Sequence, residues 1–548
     1  MTGRGKRHDQ YVVEDNAVLR TGPAATPQAA PGRPSPHRHL VVPGLLLTAI
    51  FIINFIDMPS MFTCGDAACW REEARSIVRD GRLWIDQRIA TNFFEPGQFF
   101  VLNKTNGHWY SKFGIGNTLM SLPPTLMVRM IGEPSQLLIF NCYQIFLSLL
   151  LAGTLYWVSG WYTERRWTRV VFVLATFYTT FLWYYQRAIT SEIYQILFFV
   201  SYFAFFMKFL RGLAVTQGRP ASRHWAALLA AWFFVAALAS TRILFGVMIP
   251  LTAIATACAI AMSIPRQLQW GAVGRCTAWL LVPATLIVVL LGIINQIKFG
   301  SPWLTGYHQW HPEIHFPTYP MWDGMYGFLF DPRYSIFLYF PVLVFALPAW
   351  RDFYRKHRLD AVTIGLMSLA LMGILSKTWN WRGDATYGPR YMIFALPLMA
   401  IPFVLFIDVL WEKIRSETFF RNGPAVAAHK KSLTHFLPGA IAVVIVGCLV
   451  YSAYLQIQVN RLKFLAYYLI TLPCTVAPLA ESTYYFGTHH MGSVCDDVIR
   501  HRDRLDDLPW MPEMKRTLLQ TYIEAYRGEM AKMVDAGNHY WFSPERTQ

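Results

Sequence analysis

The stretch SEIYQILFFVSYFAFFMKFL, residues 191–210, decides the fold class of this chain. After Glu192 it has no charged residue before Lys208. A helix needs about 20 mostly apolar residues to cross a bilayer, and this stretch has that length. Of all 548 residues, 54% are hydrophobic and 15% are charged, and the mean hydropathy is +0.29. Soluble domains carry about 25% charged residues. The composition therefore excludes a soluble enzyme, a disordered chain and a small disulfide scaffold.

Similar apolar stretches recur along the chain and predict an all-α polytopic membrane protein with 11 to 13 transmembrane helices. Residues 113–131 contain two glycines and the pair Pro123 and Pro124, which break the stretch and favour a short interfacial or re-entrant helix. Residues 462–480 are apolar enough to be considered as a twelfth span. The eleven predicted spans are 40–57, 136–161, 167–186, 192–210, 224–240, 243–263, 276–297, 334–350, 360–377, 391–411 and 436–457.

Lys and Arg are concentrated in alternate connecting segments. With the N-terminus inside, the inner segments hold 24 of the 49 Lys and Arg but only 9 of the 33 Asp and Glu. This excess is typical of cytoplasmic loops, and it explains the net charge of +16 without a nucleic-acid partner. If residues 113–131 formed a full span, the basic strings 163–169 and 351–358 would lie outside. That would contradict the preference of Lys and Arg for cytoplasmic loops. The inner segments are 1–39, 162–169, 208–223, 264–275, 350–360 and 408–435.

This topology divides the chain into three regions. Residues 1–39 are predicted to form a disordered, basic cytoplasmic tail, and residues 40–457 the transmembrane domain. Residues 458–548 are predicted to lie on the outer, periplasmic side. The first outer loop, residues 58–135, is long, and we expect it to carry interfacial helices.

The eight cysteines follow the same division. Four lie in predicted spans, where cysteine behaves as a small apolar residue: Cys142, Cys258, Cys276 and Cys448. The other four lie outside the spans, in a compartment that permits disulfides. We predict the pairs Cys64–Cys69 and Cys474–Cys495, and the alternative is four free thiols.

The first outer loop holds two groups of candidate residues. Asp66 precedes the helix-like run AACWREEARSIV, so it is either a helix N-cap or a catalytic acid. In NGHWYSKFGIG, residues 106–116, His108, Tyr110 and Lys112 alternate with aromatic residues. Lys112 either binds phosphate or anchors the loop at the membrane interface.

Charged residues also stand at the outer ends of predicted spans. Arg187 and Glu192 flank a short outer connection, and Glu192 either caps its helix or belongs to a site, because charges at the edge of a span are costly. Arg242 lies at a tight outer turn. An arginine placed there needs an anionic partner, either a lipid headgroup or a bound phosphate.

Two outer loops are rich in aromatic residues. Residues 298–333 contain Tyr307 and His308, and their histidines include the spacing of a metal site, but Pro312 breaks any helix that would align them. Aromatic platforms suit sugar rings or acyl chains better. The loop TWNWRGDATYGPR, residues 378–390, is either an aromatic belt or a phosphate site. Its candidate residues are Trp381, Asp384, Tyr387 and Arg390, with Tyr391 following.

Carboxylates and cations that meet at the outer face of the membrane suit chemistry on a lipid phosphate. At these residues the chain resembles membrane-embedded glycosyltransferases of the type C (GT-C) fold. Protein O-mannosyltransferases and lipid A aminoarabinose transferases belong to that family. The resemblance covers roughly residues 40–411 and departs from the family at Ala67, where a second acid is usual. Its matching motifs, in order, are TCGDAACW, NGHWYSKFGIGNTLMSLPP, ITSEIYQ, Arg242, GSPWLTGY and WRGDATYGPRYMIFALP.

The resemblance implies inverting transfer of a sugar from a polyprenyl-phosphate donor to an acceptor hydroxyl of a lipid, glycan or protein. It implies a bacterial inner membrane with the site facing the periplasm, and no required cofactor or metal. Asp66 would be the general base and Glu192 would orient a substrate. Cations and an aromatic ring would bind the donor phosphate and lipid: Lys112, Arg187, Arg242, Arg390 and Tyr391. Polar and aromatic side chains would bind sugar or acceptor: His108, Tyr110, Tyr307, His308, Trp381, Asp384 and Tyr387.

The main alternative is a transporter or flippase of lipid-linked sugars. Transporters favour ionisable residues at the membrane midplane. Here the predicted spans have no charged residues at their centres, and the charged residues lie at their outer ends. That distribution favours the enzyme.

Overall fold

The computed structural model describes residues 37–59, 65–92, 99–310, 319–331, 334–378, 381, 387–421 and 437–461. By contacts the chain divides into Met1–Val42 and Pro43–Gln548. Within the first unit, the described residues are the beginning of the first helix. All the other elements belong to the second unit.

The described residues are almost entirely helical, which confirms the all-α prediction. A two-stranded antiparallel hairpin lies in the first outer loop, with Phe100 paired to Ser111 and Asn103 to His108. The elements in chain order are α1 His37–Ile56, α2 Gly65–Asp80, α3 Gln87–Asn92, β1 Phe100–Asn103, β2 His108–Ser111, α4 Ile115–Ile131, α5 Gln136–Ser159, α6 Arg166–Tyr178, α7 Leu182–Arg187, α8 Glu192–Val215, α9 Ser222–Thr241, α10 Met248–Ser263, α11 Arg266–Phe299, α12 Gly306–Trp310, α13 Met321–Phe330, α14 Ile336–Tyr339, α15 Val342–Ala346, α16 Trp350–Lys356, α17 Arg358–Ser376, α18 Leu396–Met399, α19 Pro402–Arg421 and α20 Leu437–Arg461.

Seven helical segments among the described residues are long and apolar enough to cross a membrane, and each overlaps a predicted span. The predicted span 40–57 forms a shorter apolar helix, Leu40–Ile56. The seven segments are Glu133–Ser159, Glu192–Val215, Ser222–Thr241, Ile243–Ser263, Arg266–Phe299, Arg358–Ser376 and Leu437–Ile457.

Three other predicted spans are not single helices. Residues 167–186 split into α6 and α7, where the Thr180 hydroxyl accepts a hydrogen bond from the backbone N–H of Leu182. The predicted spans 334–350 and 391–411 contain prolines, which cannot donate to the helical hydrogen-bond ladder. Residues 334–350 divide into the short helices α14 and α15 and the start of α16, and residues 391–411 divide into the short helix α18 and the first half of α19.

Residues 113–131 also differ from the prediction. The prolines do not break this stretch, because α4 runs without interruption through Pro123 and Pro124. Its helix begins at Ile115, directly after Gly114.

Helix α8 lies at the centre of the bundle. Its apolar window is 83% buried, whereas that of α11 is 6% buried. Large aromatic side chains of α8 that are fully buried include Phe199, Tyr202 and Phe203. A charged group at the end of α8 is therefore surrounded by protein rather than by solvent.

Ion pairs join segments that the charge distribution assigns to the same side. Arg165 pairs with Asp408 and Glu412, and Arg211 pairs with Asp360, all in predicted inner segments or at their edges. The pairs on the predicted outer side form the candidate site and its surroundings. The grouping agrees with the predicted alternation of inner and outer ends, while the side that faces the cytoplasm stays a prediction.

Candidate active site

A buried carboxylate shared by two arginines forms the centre of the site. Glu192 is 0% exposed in the first turn of α8, where the helix dipole favours negative charge. Its Oε1 accepts hydrogen bonds from Arg242 Nη2 at 2.9 Å and from Arg390 Nε at 2.5 Å. Two guanidinium groups from distant parts of the chain are thus held together by one side chain.

Arg242 is placed by the contact between α4 and the end of α9. A Cβ on Gly114 would lie 2.1 Å from the carbonyl oxygen of Ser240, and one on Gly116 would lie 2.3 Å from its hydroxyl. The two glycines therefore allow α4 to touch α9. Asn117 Nδ2 then donates to the carbonyl of Thr241 at 3.0 Å, which fixes the backbone just before Arg242.

Arg390 is placed by a tight turn. Gly388 has φ +69°, and a Cβ there would lie within 3 Å of the rings of Tyr339 and Phe181, so no larger residue fits. Beyond this turn, Arg390 reaches Glu192 with Nε and Asp66 Oδ2 with Nη2, the latter at 3.3 Å. One guanidinium group therefore bridges both candidate carboxylates.

The two carboxylates differ in how open they are. The Asp66 side chain is 28% exposed, whereas that of Glu192 is 0% exposed. Among the ion pairs of the described residues, Glu192 joins two arginines, Arg242 and Arg390, whereas Asp66 joins Arg390. Asp66 is therefore the carboxylate that a substrate can reach.

A buried ion pair that sequence reasoning missed anchors the helix of Asp66. Lys298 Nζ lies 3.0 Å from the carboxylate of Glu73, and these residues are 1% and 0% exposed. Glu73 also accepts hydrogen bonds from Thr118 Oγ1 and the backbone N–H of Ser111. Glu73 lies seven residues after Asp66, two helical turns along the same face of α2. That spacing could have indicated from the sequence that Glu73 lies on the same side of the helix as Asp66.

Lys112 and Tyr307 lie beside the cluster. The Lys112 Nζ is 5.7 Å from the centroid of the Tyr307 ring, and Tyr307 interacts electrostatically with Arg242, Asp66 and Arg390. A Cβ on the neighbouring Gly306 would lie 2.3 Å from the carbonyl oxygen of Lys112, so glycine permits this approach.

Tyr391 completes the cluster, since the Arg242 guanidinium lies 5.2 Å from the centroid of its ring. Of the sequence-predicted residues, the structure thus brings seven into one region. They are Asp66, Lys112, Glu192, Arg242, Tyr307, Arg390 and Tyr391.

Arg187 lies in a different polar network. It donates to the carbonyl of Asp57 and to that of Asn460, and its Nε lies 3.4 Å from the Asp57 carboxylate. This network ties α7 to the C-terminal ends of α1 and α20. Phosphate binding by Arg187 stays a prediction.

Other predicted sugar-binding residues are held by structural contacts. The His108 ring stacks on Trp84 with centroids 4.2 Å apart. Tyr110 is 2% exposed, and its hydroxyl accepts a hydrogen bond from Asn106. His308 is exposed in α12.

Trp381 and Tyr387 are both buried. Trp381 packs its ring against Phe328 and Tyr334, and Tyr387 packs against Tyr339. These contacts hold both residues in the packed interior, and their predicted binding of sugar or acceptor stays a prediction.

Several predictions fall outside the described residues. These are Asp384, Cys64, Cys474, Cys495, nearly all of the tail 1–39 and the segment 462–548. Cys69 is described and is buried. Among the described residues no group of three or more His, Cys, Asp or Glu could hold a metal ion.

No family model matches this chain, and no curated protein sequence does. Among solved structures, the Archaeoglobus fulgidus oligosaccharyltransferase tethered with an acceptor peptide matches at 12% identity with a TM-score of 0.46, over 77% of this chain and 55% of that chain. The archaeal oligosaccharyltransferase AglB from Archaeoglobus fulgidus, in complex with an inhibitory peptide and a dolichol-phosphate, matches at 12% identity with a TM-score of 0.45. This match covers 89% of this chain and 59% of that chain. ArnT from Cupriavidus metallidurans bound to undecaprenyl phosphate matches at 12% identity with a TM-score of 0.46, over 89% of this chain and 85% of that chain. The chain spans little more than half the length of these oligosaccharyltransferase chains.

Proposed function

We propose that this protein transfers a sugar, with inversion, from a polyprenyl-phosphate donor to an acceptor hydroxyl at the outer membrane face. The observation that carries the proposal is a partly exposed carboxylate, Asp66, paired with Arg390, which the buried Glu192 holds in place together with Arg242. The charges lie at the ends of apolar helices, where the phosphate of a membrane lipid would be found.

The cations balance the charge of the donor. Lys112, Arg242 and Arg390 carry three positive charges, and Asp66 and Glu192 carry two negative ones. The phosphodiester of the donor adds one negative charge, and a second develops as the sugar leaves. Cations that are already oriented stabilise that developing charge without reorganisation. Glu192 keeps the two arginines in that orientation.

Asp66 is the group that activates the acceptor. The acceptor hydroxyl gives its proton to Asp66 as its oxygen bonds to the anomeric carbon. The bond from that carbon to the phosphate oxygen breaks, and its electron pair leaves with the polyprenyl phosphate. Because attack and departure occur on opposite faces of the sugar, the configuration is inverted. None of these steps requires a cofactor.

The proposal extends to the partners and the location of the chain. The donor is a membrane lipid, the acceptor is a lipid, glycan or protein with a free hydroxyl, and no nucleic acid takes part. The site faces the periplasm of a bacterial inner membrane.

The test is a cleavage assay in reconstituted vesicles. The purified protein is supplied with polyprenyl-phosphate sugars labelled in the sugar, together with a cell-envelope acceptor extract. We expect free polyprenyl phosphate and a new labelled glycoside in equal amounts. Movement of intact donor between leaflets without cleavage would contradict the proposal and indicate a transporter.

A further inference from the structure

Helix α20 carries a stripe of buried polar side chains. Its apolar window is 17% buried, and Val443 and Val450 are among its exposed residues. Ser452, Gln456 and Asn460 are buried and follow one another at intervals of four residues, so they lie on one face of the helix. Since burial of apolar surface does not drive helices together within lipid, the hydrogen bonds of this face help to fix α20 against its neighbours.

The first and last of these side chains bind α1 and the region from the end of α6 to α7. Ser452 Oγ donates to the carbonyl of Thr179, between α6 and α7, at 2.7 Å. Asn460 accepts a hydrogen bond from Arg187 Nη1 at its carbonyl, and its Nδ2 donates to Asp57 Oδ2 at 3.4 Å. These contacts fasten α20 to the bundle on both sides of Gln456.

The middle side chain, Gln456, reaches the turn that carries Arg390. Its Nε2 donates to the phenolic oxygen of Tyr387 at 3.2 Å. The backbone carbonyl of Tyr387 accepts a hydrogen bond from the hydroxyl of Tyr185 at 2.9 Å. Tyr387 is therefore held at its backbone and at the end of its ring, three residues before Arg390.

The turn between Tyr387 and Arg390 is short and internally bonded. Gly388 has φ +69°, and its carbonyl accepts a hydrogen bond from the backbone N–H of Arg390 at 2.8 Å. The Arg390 residue is 6% exposed, and its guanidinium donates to both Glu192 and Asp66. Because so few bonds separate the two side chains, a displacement of Tyr387 shifts the guanidinium as well.

We propose that Gln456 is a positioning residue for Arg390 and acts through Tyr387. The inference rests on the proposed function, because it concerns how a cation that stabilises the leaving phosphate is kept in place. A cation stabilises a developing charge best when it is oriented before the reaction begins. Helix α20 therefore affects the rate of transfer through the turn that it holds.

The first test observes the Arg390 side chain directly, without any donor. Full-length protein labelled with nitrogen-15 at the arginine Nε is studied by NMR in detergent, and the Arg390 signal is assigned by its absence in Arg390→Lys. A buried N–H that donates to a carboxylate exchanges slowly with water. We expect this exchange to become at least tenfold faster in Gln456→Leu and in Tyr387→Phe, which removes only the hydroxyl.

Ser452→Ala is the matched control for this measurement. It removes a hydrogen bond from the same face of α20, but that bond goes to the carbonyl of Thr179. The exchange of the Arg390 Nε–H should therefore stay at the wild-type rate. Equally fast exchange in Ser452→Ala would show a general loosening of α20 and would overturn the proposal. Wild-type exchange in Tyr387→Phe would also overturn it, even if Gln456→Leu failed to fold.

The second test is a double-mutant cycle in the vesicle assay of sugar transfer. Gln456→Leu should lower kcat about tenfold and change KM for the donor less than twofold, because the lost stabilisation belongs to the transition state. In the Arg390→Lys background the same substitution should lower kcat less than twofold, since the guanidinium that Gln456 positions is already gone. Equal losses in the two backgrounds would contradict the positioning role.

A conservative variant and the wild type complete the cycle. Gln456→Glu keeps a hydrogen-bonding group of the same length and should retain at least a third of the wild-type kcat. A loss as large as that of Gln456→Leu would count against the hydrogen bond to Tyr387. Absence of transfer by the wild type would contradict the proposed function, whereas the NMR measurement would still decide whether Gln456 positions Arg390.

Discussion

At the scale of the residue, Glu192 explains how two like charges remain side by side. Removing a carboxylate from water is costly unless hydrogen-bonded cations compensate it, and here two arginines do so through one oxygen. The same geometry leaves Asp66 with a weaker contact, 3.3 Å from Arg390. In the proposed mechanism, the buried Glu192 organises the site and the more exposed Asp66 reacts.

Glu192→Gln tests the organising role. The neutral amide leaves two arginines without their shared charge, and breaking a buried pair costs about 3–5 kcal/mol. We expect donor cleavage to fall about 100-fold or more, together with a lower thermal unfolding midpoint. Initial rates and thermal unfolding are measured for both proteins. Glu164→Gln, at an exposed position, is the control. Unchanged rates in Glu192→Gln would remove Glu192 from the site.

Arg390→Lys tests whether the forked guanidinium matters beyond its charge. Lysine has one ammonium group and cannot donate to Glu192 and Asp66 in the geometry of Nε and Nη2. We expect kcat to fall roughly 10- to 100-fold, because the developing charge on the phosphate is less well stabilised. Arg351→Lys, on an exposed turn of α16, serves as the control. If both variants kept the wild-type kcat, charge alone would be sufficient.

At the scale of the element, the contact between α4 and α9 determines where Arg242 lies. Two glycines allow the backbones to touch, and Asn117 links the helix ends. Tyr194 of α8 donates to Asn117 Oδ1 at 2.6 Å, so the helix of Glu192 belongs to the same junction. A shift of α4 should therefore disturb the cation without any change in the reacting groups.

Gly116→Ala tests this junction. The added Cβ would lie 2.3 Å from the hydroxyl of Ser240 and 2.9 Å from the backbone nitrogen of Thr241. Overpacking of this kind costs about 1–3 kcal/mol. We expect a lower unfolding midpoint and a fall in donor cleavage of at least tenfold. Gly153→Ala is the matched control, because nothing lies within 4 Å of its added Cβ. Equal loss in both variants would point to a general effect of alanine.

Sequence patterns predict the long helices better than the broken ones. Apolar length is a local property, and seven predicted spans appear as long helices. Whether a proline interrupts a helix depends on its packing as well as on its missing N–H. The helix α4 continues through Pro123 and Pro124, whereas the predicted spans that contain Pro341 and Pro397 are each divided among separate helices.

At the scale of the whole molecule, charged residues at helix ends could be assigned to one site because alternate span ends share a membrane face. That reasoning grouped Asp66, Glu192, Arg242 and Arg390, and ion pairs join these four residues in the structure. It missed the pair of Glu73 and Lys298, which are 225 residues apart along the chain. No local pattern specifies which buried charges pair with one another, since packing of the whole bundle decides it.

The predicted orientation can be tested by labelling single introduced cysteines with a membrane-impermeant maleimide. Lys104, in the turn between β1 and β2, and Lys356, near the end of α16, are both exposed. We expect Lys104→Cys to react in intact cells and Lys356→Cys only after permeabilisation. The parent chain gives the background from native cysteines. The opposite pattern would invert the topology and place the site on the cytoplasmic side.

The most direct test of the central claim compares Asp66→Asn with the wild type in the vesicle assay of sugar transfer. Loss of a general base typically costs 10²- to 10⁴-fold, so we expect transfer to fall about 1,000-fold while donor binding persists. Asp80→Asn, at the exposed end of the same helix, should transfer sugar at the wild-type rate. If Asp66→Asn also transferred sugar at that rate, Asp66 would not be the base and this account of the site would be wrong.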